Sequence, residues 1–216
     1  MTEIFGIPLP ALLGQLLLGL VNGSFYAMLS LGLAVIFGML NIVNFAHGAL
    51  YMVGAFFAWM LLNYAGLNYW FALLLAPLAV GLIGVIIEKT MLRWLHGLDH
   101  LYGLLLTFGL ALLLEGLFRE FYGSSGQPYE LPEVFRGGFD LGFMFLPKYR
   151  AWVVFASIFL CLAVWYVIEK TKLGAYLRAG TENPNLVKAF GINVPLMVTL
   201  TYAFGVALAG LAGVMA

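Results

Sequence analysis

The residues best suited to do chemistry in this chain lie in a short polar cluster, NIVNFAHG at 41–48, within an otherwise apolar region. Asn41, Asn44 and His47 are three residues apart and would share one face of a helix. In one interpretation they line a translocation path, because polar groups at membrane depth need a protein partner or a wet cavity, and broken helices in transporters often form substrate sites there. The alternative is a tight turn at the membrane surface that joins two apolar segments. Sequence alone leaves both open.

A second set of polar side chains lies on the first apolar segment. Asn22, Tyr26 and Ser30 are four residues apart and therefore share one helical face. One interpretation makes this face a polar wall of the translocation path. The other is helix–helix packing, in which Gly19 and Gly23 allow close approach and the polar residues hydrogen-bond across the interface.

Catalytic chemistry and metal binding have weaker support. Ser24 and His47 are the residue types of a nucleophilic dyad, but no oxyanion hole accompanies them. His96 and His100 in LHGLDH could share a metal on a helix, yet Gly97 weakens the helix and no third ligand is evident. We therefore predict neither a catalytic nor a metal site. No GxxxxGK[ST] pattern is present in the sequence, so energy for active transport must come from another subunit.

The most polar stretch between two long apolar segments is 170–194, KTKLGAYLRAGTENPNLVKAFGINV. Asn183 is a suitable N-cap, Pro184 suits the first helical position, and Gly191 suits the left-handed position after a helix. This pattern predicts a two-turn helix over 184–190, with Leu186, Val187 and Phe190 as its apolar face. A helix of ~7 residues is too short to be stable alone, so we expect it to dock against another protein.

Composition places these elements in a membrane. The 216 residues are 63% hydrophobic and only 9% charged, whereas soluble domains are about 25% charged. The formal net charge is zero, so nothing indicates a nucleic-acid partner. We predict an all-α, polytopic membrane protein with about six transmembrane segments, since a crossing needs about 20 apolar residues. These segments run over about 9–40, 42–62, 70–87, 101–118, 151–168 and 196–216.

Two of these segments have unusual ends. The first is too long for one straight span, and the sixth reaches the last residue without a charged or polar tail. We therefore expect the chain to be C-terminally incomplete.

The connecting segments give the orientation, since positive residues favour the cytoplasmic side. Six Lys and Arg lie in 88–100 and 169–194, against four in 119–150. The first two are predicted to be cytoplasmic, and 119–150 is predicted to be a periplasmic loop, folded as a cap.

Three blocks of sequence resemble the permease subunits of branched-chain amino acid ABC transporters, of the LivH type. They are NGSFYAMLSLGLAVIFGMLNIVNFAHGALYMVGAF at 22–56, LLLTFGLALLLEG at 104–116 and LRAGTENPNLVKAFGINVPLMVTLTYAFGVALAGLAGV at 177–214. The first and third are long ordered strings and carry the resemblance. It implies a single transmembrane permease domain over 1–216, in the inner membrane of a bacterium.

The resemblance also implies partners. They are a second permease of the LivM type, two ABC ATPase subunits, a periplasmic substrate-binding protein and the lipid bilayer. This chain then binds no cofactor, and ATP and Mg are bound by the partner ATPase. Segment 170–194 becomes the cytoplasmic coupling segment, and ATP-driven closure of the ATPases pushes on it. The residues assigned to this coupling are Arg178, Glu182, Asn183, Pro184, Lys188 and Gly191.

Small residues in the sixth segment complete the interpretation. Gly205, Ala209 and Gly213 are four residues apart and form a packing stripe on which moving helices could slide.

Two other functions remain open. Related permeases carry urea or short amides, and a self-sufficient channel or secondary carrier is a different class. A carrier needs ionisable residues inside the membrane, and the predicted spans have almost none.

Overall fold

The computed structural model describes residues 3–4, 7–40, 42–95 and 98–216 of the chain. Six long apolar helices form a bundle, and two shorter helices follow the fifth of them. The helices are α1 (Leu9–Leu40), α2 (His47–Asn63), α3 (Tyr69–Thr90), α4 (His100–Tyr122), α5 (Lys148–Lys170), α6 (Lys172–Glu182), α7 (Pro184–Ala189) and α8 (Val194–Val214). Two antiparallel hairpins pair β1 (Glu3–Ile4) with β2 (Ile7–Pro8) and β3 (Gly138–Asp140) with β4 (Phe145–Pro147).

The predicted all-α, polytopic class is confirmed, with one change in the number of spans. Within the described residues, five helices are long and apolar enough to cross a membrane: α1, α3, α4, α5 and α8. The second predicted segment is shorter, because α2 starts at His47 and has 17 residues. The first segment is a single helix of 32 residues, about 48 Å long at ~1.5 Å per residue. It exceeds the ~30 Å thickness of the hydrocarbon core without a break.

Helix α8 lies at the centre of the bundle, in contact with α1, α2 and α3. Its side chains Tyr202, Val206 and Ala209 are fully buried. Helix α5 packs on α1, and α4 packs on α2 at the periphery. Helices α3 and α8 run antiparallel, so the start of α3 and the end of α8 lie at the same end of the bundle. We refer to the end that carries 90–95, 98–100 and 170–194 as the lower end, and to the end that carries 123–147 as the upper end.

Glycines of α8 set how closely the helices approach. A Cβ at Gly205 would lie 2.5 Å from Ile36 Cγ1 and 2.8 Å from the Gly32 carbonyl oxygen of α1. A Cβ at Gly213 would lie closer still to the Tyr51 carbonyl oxygen of α2. Ala209, between these glycines, is fully buried. Gly205 and Gly213 are therefore points where α8 approaches the backbone of its neighbours, as small side chains allow in membrane bundles.

Aromatic side chains close the upper end. Tyr69 is buried among the rings of Phe135 and Tyr149, with centroids 5.7 and 6.1 Å away. The Trp152 indole N–H donates to the Tyr69 hydroxyl at 3.3 Å, and the Tyr149 hydroxyl donates to the Met215 carbonyl oxygen at 2.9 Å. The segment between α4 and α5 is thus folded onto the spans and includes the β3–β4 hairpin.

Candidate functional site

The polar cluster forms a non-helical link between α1 and α2, for which the structure describes residues 42–46. Burial alternates along it: Asn44 and Ala46 are buried, whereas Val43 and Phe45 are exposed. Asn44 Nδ2 donates to the Tyr202 hydroxyl of α8 at 3.0 Å, and Asn44 Oδ1 accepts from the Ala46 backbone N–H at 3.0 Å. The predicted path residue Asn41 lies outside the described part of the chain.

The link is also held by α4. The Phe45 backbone N–H donates to Thr107 Oγ1 at 3.1 Å, and Thr107 is fully buried. The rings of Phe45 and Phe108 meet edge to face at 6.4 Å. Side chains of two other helices therefore supply hydrogen bonds that a continuous helix would make internally, as non-helical backbone requires at membrane depth.

The depth of this link follows from its partners. Tyr202 lies eight residues after the start of α8 at Val194, which is about 12 Å from the lower end at ~1.5 Å per residue. Thr107 lies seven residues after His100, the first residue of α4, or about 10 Å by the same rise. Since both helices span the membrane, the link lies inside the bundle. The described part of the link is therefore enclosed by helices, as the broken-helix interpretation expects, and its role in lining a translocation path stays a prediction.

His47 is the first residue of α2 and is buried. Its Nε2 lies 2.9 Å from the Leu29 carbonyl oxygen of α1, so the imidazole fastens the two helices together. Within the described residues its Nδ1 has no hydrogen-bond partner. The Ser24–His47 dyad is not formed, because the Ser24 hydroxyl donates to the Leu20 carbonyl oxygen at 2.8 Å.

The predicted polar face of α1 points away from the bundle. Asn22, Tyr26 and Ser30 are all exposed, and Tyr26 is 72% exposed. The opposite face of α1 carries the buried residues Val21 and Met28. The three polar side chains therefore do not pack inside the bundle of this chain, and both the packing role and the translocation path stay predictions. They lie on a surface that is open to lipid or to another subunit.

The coupling segment has the local structure that its sequence predicts. Asn183 Oδ1 accepts from the Leu186 backbone N–H at 3.1 Å, α7 covers 184–189, and Gly191 has φ of +80°. Val187 alone of the predicted apolar face is buried, whereas Leu186 and Phe190 are exposed. Phe190, with 77% of its surface exposed, is among the most exposed large apolar residues of the described chain.

Other coupling residues have contacts within the chain or point to solvent. Arg178 belongs to α6, a helix that the sequence interpretation missed, and its Nη1 lies 3.6 Å from Glu169 Oε2 of α5. It also donates to the Ile168 carbonyl oxygen. Arg178 therefore fastens α6 to the end of α5, which leaves less of it for a partner than the sequence interpretation supposed. Glu182 and Lys188 are exposed.

One buried charge was missed by sequence reasoning. Glu88 falls in the last turn of α3, which continues to Thr90, and it is 1% exposed. Thr199 Oγ1 of α8 donates to Glu88 Oε2 at 2.6 Å, and Arg93 Nε lies 3.8 Å from Glu88 Oε1. The signal was an acidic residue at the end of an apolar run, GVIIEKT, where an ionisable group inside the membrane is a functional candidate.

For His96 and His100 we predicted no metal site, and the structure describes only the second of these histidines. His96 lies outside the described residues, and His100 is exposed at the start of α4. Among the residues that the structure describes, no three His, Cys, Asp or Glu side chains are grouped to hold a metal ion.

Comparison with known proteins identifies the architecture built around this link. The model of the family described as "branched-chain amino acid transport system / permease component" matches residues 15–216. The chain belongs to this family. The matched range includes α1 through α8 almost completely, and with them the link, the coupling segment and the buried Glu88.

Curated members of the permease family are similar over most of the chain. The high-affinity branched-chain amino acid transport system permease protein BraD of Pseudomonas aeruginosa is 29% identical, over 94% of this chain and 70% of its own length. The LivH permease protein of the corresponding high-affinity system in Escherichia coli K12 is 26% identical over the same shares. A probable LivM permease of Methanocaldococcus jannaschii is 38% identical over 32% of this chain and 21% of its own length. No solved structure matches.

Proposed function

We propose that this chain is a membrane-spanning permease subunit of an ATP-driven importer for branched-chain, hydrophobic amino acids. The observation that carries the proposal is the family match over 15–216, together with relatives whose names specify high-affinity branched-chain amino acid transport. The chain contributes the transport path and no hydrolytic step. ATP and Mg are bound by a separate ATPase subunit.

The partners follow from two exposed surfaces. Leu186 and Phe190 project from α7 beside the charged residues Glu182 and Lys188, which suits a groove on an ATPase. The polar face of α1, with Asn22, Tyr26 and Ser30, is a surface for a second permease of the LivM type, and the path then runs between the two subunits. A similarity to a LivM protein over 72 residues supports such a related pair. A periplasmic binding protein would deliver the substrate to the upper end.

Transport by the assembled system tests the proposal. Inverted and right-side-out membrane vesicles that contain this chain with its neighbouring permease, ATPases and binding protein are supplied with labelled leucine. We expect ATP-dependent uptake, with competition by isoleucine and valine and not by urea. Uptake of urea or a short amide would show that the proposed substrate is wrong. Leucine uptake without the ATPases would show that the protein is a self-sufficient carrier and not a subunit of an ATP-driven importer.

The coupling assignment is tested by a matched pair of variants. Phe190→Ala removes the exposed ring of the coupling segment, and Phe121→Ala removes an equally exposed ring, also 77%, at the upper end. We expect Phe190→Ala to reduce uptake and the transport-stimulated ATPase rate by about tenfold, the loss of a well-packed aromatic anchor. Phe121→Ala should leave both unchanged. Equal behaviour of the two variants contradicts the assignment of 170–194.

A further inference from the structure

A cavity of about 530 Å³ lies at the lower end, between the last turns of α1 and α3 and the first turn of α8. Helix α6 and Lys188 of α7 close it from below. Its volume falls in the range of small-molecule sites, about 300–1,000 Å³. The roles described above for the link at 42–46 and for the exposed face of the coupling segment assign no function to this cavity.

The lining combines one negative group with two positive groups. Glu88 is buried at one wall, whereas Arg93 and Lys188 reach the cavity from the 3-10 turn after α3 and from α7. Glu88 Oε2 is engaged by Thr199, but Glu88 Oε1 has Arg93 at 3.8 Å. That separation is longer than a charge-assisted hydrogen bond of about 2.7–2.9 Å. Glu88 Oε1 therefore retains capacity to accept from a donor in the cavity.

The rest of the lining is apolar. Side chains from α1, the link and α8 contribute Met39, Leu40, Ile42, Val194, Met197 and Val198. A ligand that satisfies the whole cavity has an ammonium group for Glu88, a carboxylate for Arg93 and Lys188, and a branched or unbranched apolar side chain. An α-amino acid zwitterion with an aliphatic side chain has this set of groups.

We infer that this cavity is a binding site within the permease for the zwitterion of an aliphatic amino acid, at the end from which the substrate is released. The inference deepens the proposed function and rests on it. The Glu88 carboxylate binds the α-ammonium, Arg93 and Lys188 bind the α-carboxylate, and the apolar wall selects the side chain. Because α6 and α7 form its floor, movement of the coupling segment changes the site directly.

Equilibrium binding of labelled leucine tests the inference. The complete transporter complex is placed in nanodiscs without ATP and without the binding protein, so that the permease pair is the site measured. Two competitors each lack one charge of leucine: isocaproate has no ammonium, and leucinamide has no carboxylate. Glu88→Gln is compared with Glu120→Gln, an exposed glutamate of α4 outside the cavity.

We expect Glu88→Gln to weaken leucine binding about tenfold or more, the scale of one lost charge-assisted hydrogen bond. Isocaproate should bind equally to the unmodified and the Glu88→Gln complexes, because it has no ammonium group for Glu88 to bind. Lys188→Gln, at an exposed position that places no demand on folding, should weaken leucine and isocaproate but not leucinamide. Glu120→Gln should match the unmodified complex.

Three outcomes overturn the inference. Leucine affinity unchanged by both Glu88→Gln and Lys188→Gln excludes the site, and so does absence of leucine binding to a complex that imports leucine in vesicles. Equal losses for leucine and isocaproate in Glu88→Gln indicate a general packing role for the glutamate. Failure of leucine uptake by the unmodified complex is a different result, because it removes the proposed function and this inference with it.

Discussion

The hydrogen bond between Asn44 and Tyr202 should hold the link at 42–46 in place, and Tyr202→Phe removes it without removing the ring. Tyr202 is fully buried, and its hydroxyl accepts from Asn44 Nδ2 at 3.0 Å. After the change the amide N–H has lost its acceptor inside the bundle. An orphaned buried donor costs about 1–3 kcal/mol of unfolding free energy.

The pair can be isolated from other effects by a double-mutant cycle. Asn44→Ala also removes the bond from the Ala46 backbone N–H, so it should cost more than Tyr202→Phe alone. The double variant should lose less unfolding free energy than the sum of the losses in the two single variants. We expect a coupling energy of about 0.6 kcal/mol and at most about 1.7 kcal/mol, the mean and the maximum measured for hydrogen bonds between membrane helices.

Equilibrium unfolding of the purified protein in bicelles measures each free energy. Tyr166→Phe is the matched control, because its hydroxyl lies on the exposed face of α5 and its side chain is 59% exposed. Within the described residues no hydrogen bond is formed by that hydroxyl. The reasoning is refuted if the coupling energy of Asn44 and Tyr202 is indistinguishable from zero, or if Tyr166→Phe is as destabilising as Tyr202→Phe.

Three further predictions address packing, capping and ionisation. Gly205→Leu should destabilise the bundle by about 1–3 kcal/mol or prevent assembly, since overpacked cores lose that much. Gly103→Leu should not, because a Cβ added at Gly103 meets open space. Thermal unfolding compares the two variants. Asn183→Ala should lower hydrogen-exchange protection in α7 by about 1 kcal/mol, the value of an N-cap, and Asn185→Ala should not. Burial raises the pKa of Tyr129 to about 12, so its phenol should stay neutral in the folded protein while an unfolded tyrosine ionises near 10. The stability that Tyr129 contributes should therefore fall as pH rises from 10 to 12. Ultraviolet absorbance titration against a Tyr129→Phe variant measures the ionisation of this phenol.

Local signals in the sequence predicted α7 and its two ends well. Asn183, Pro184 and Gly191 act within one or two turns of chain, so their effect on α7 does not depend on distant contacts. The same holds for the order of the apolar helices, because each long apolar run forms one helix, although α2 is shorter and α1 is longer than a single crossing requires. Helix α6 was missed because its positive charges and Gly174 and Gly180 resemble a loop.

Burial was harder to predict than helix position. Periodicity places Asn22, Tyr26 and Ser30 on one face, but whether that face meets α8 or the surroundings depends on how α1 rotates against its neighbours. The depth of the link at 42–46 likewise depends on Tyr202, 158 positions from Asn44 in sequence. Glu88 was assigned to a loop because its Thr199 partner is also remote.

These remote partners share one element, and that gives α8 a mechanical role. Only four residues separate α7 from α8, and Asn193 caps the first turn of α8 by accepting from the Leu196 backbone N–H. The next turns carry Thr199, which holds Glu88 at the cavity, and then Tyr202, which holds Asn44 at the link. Gly205 follows, in backbone contact with α1. We therefore predict that a displacement of α7 is transmitted through α8 to both the cavity and the link, because the close backbone packing of this continuous helix resists bending.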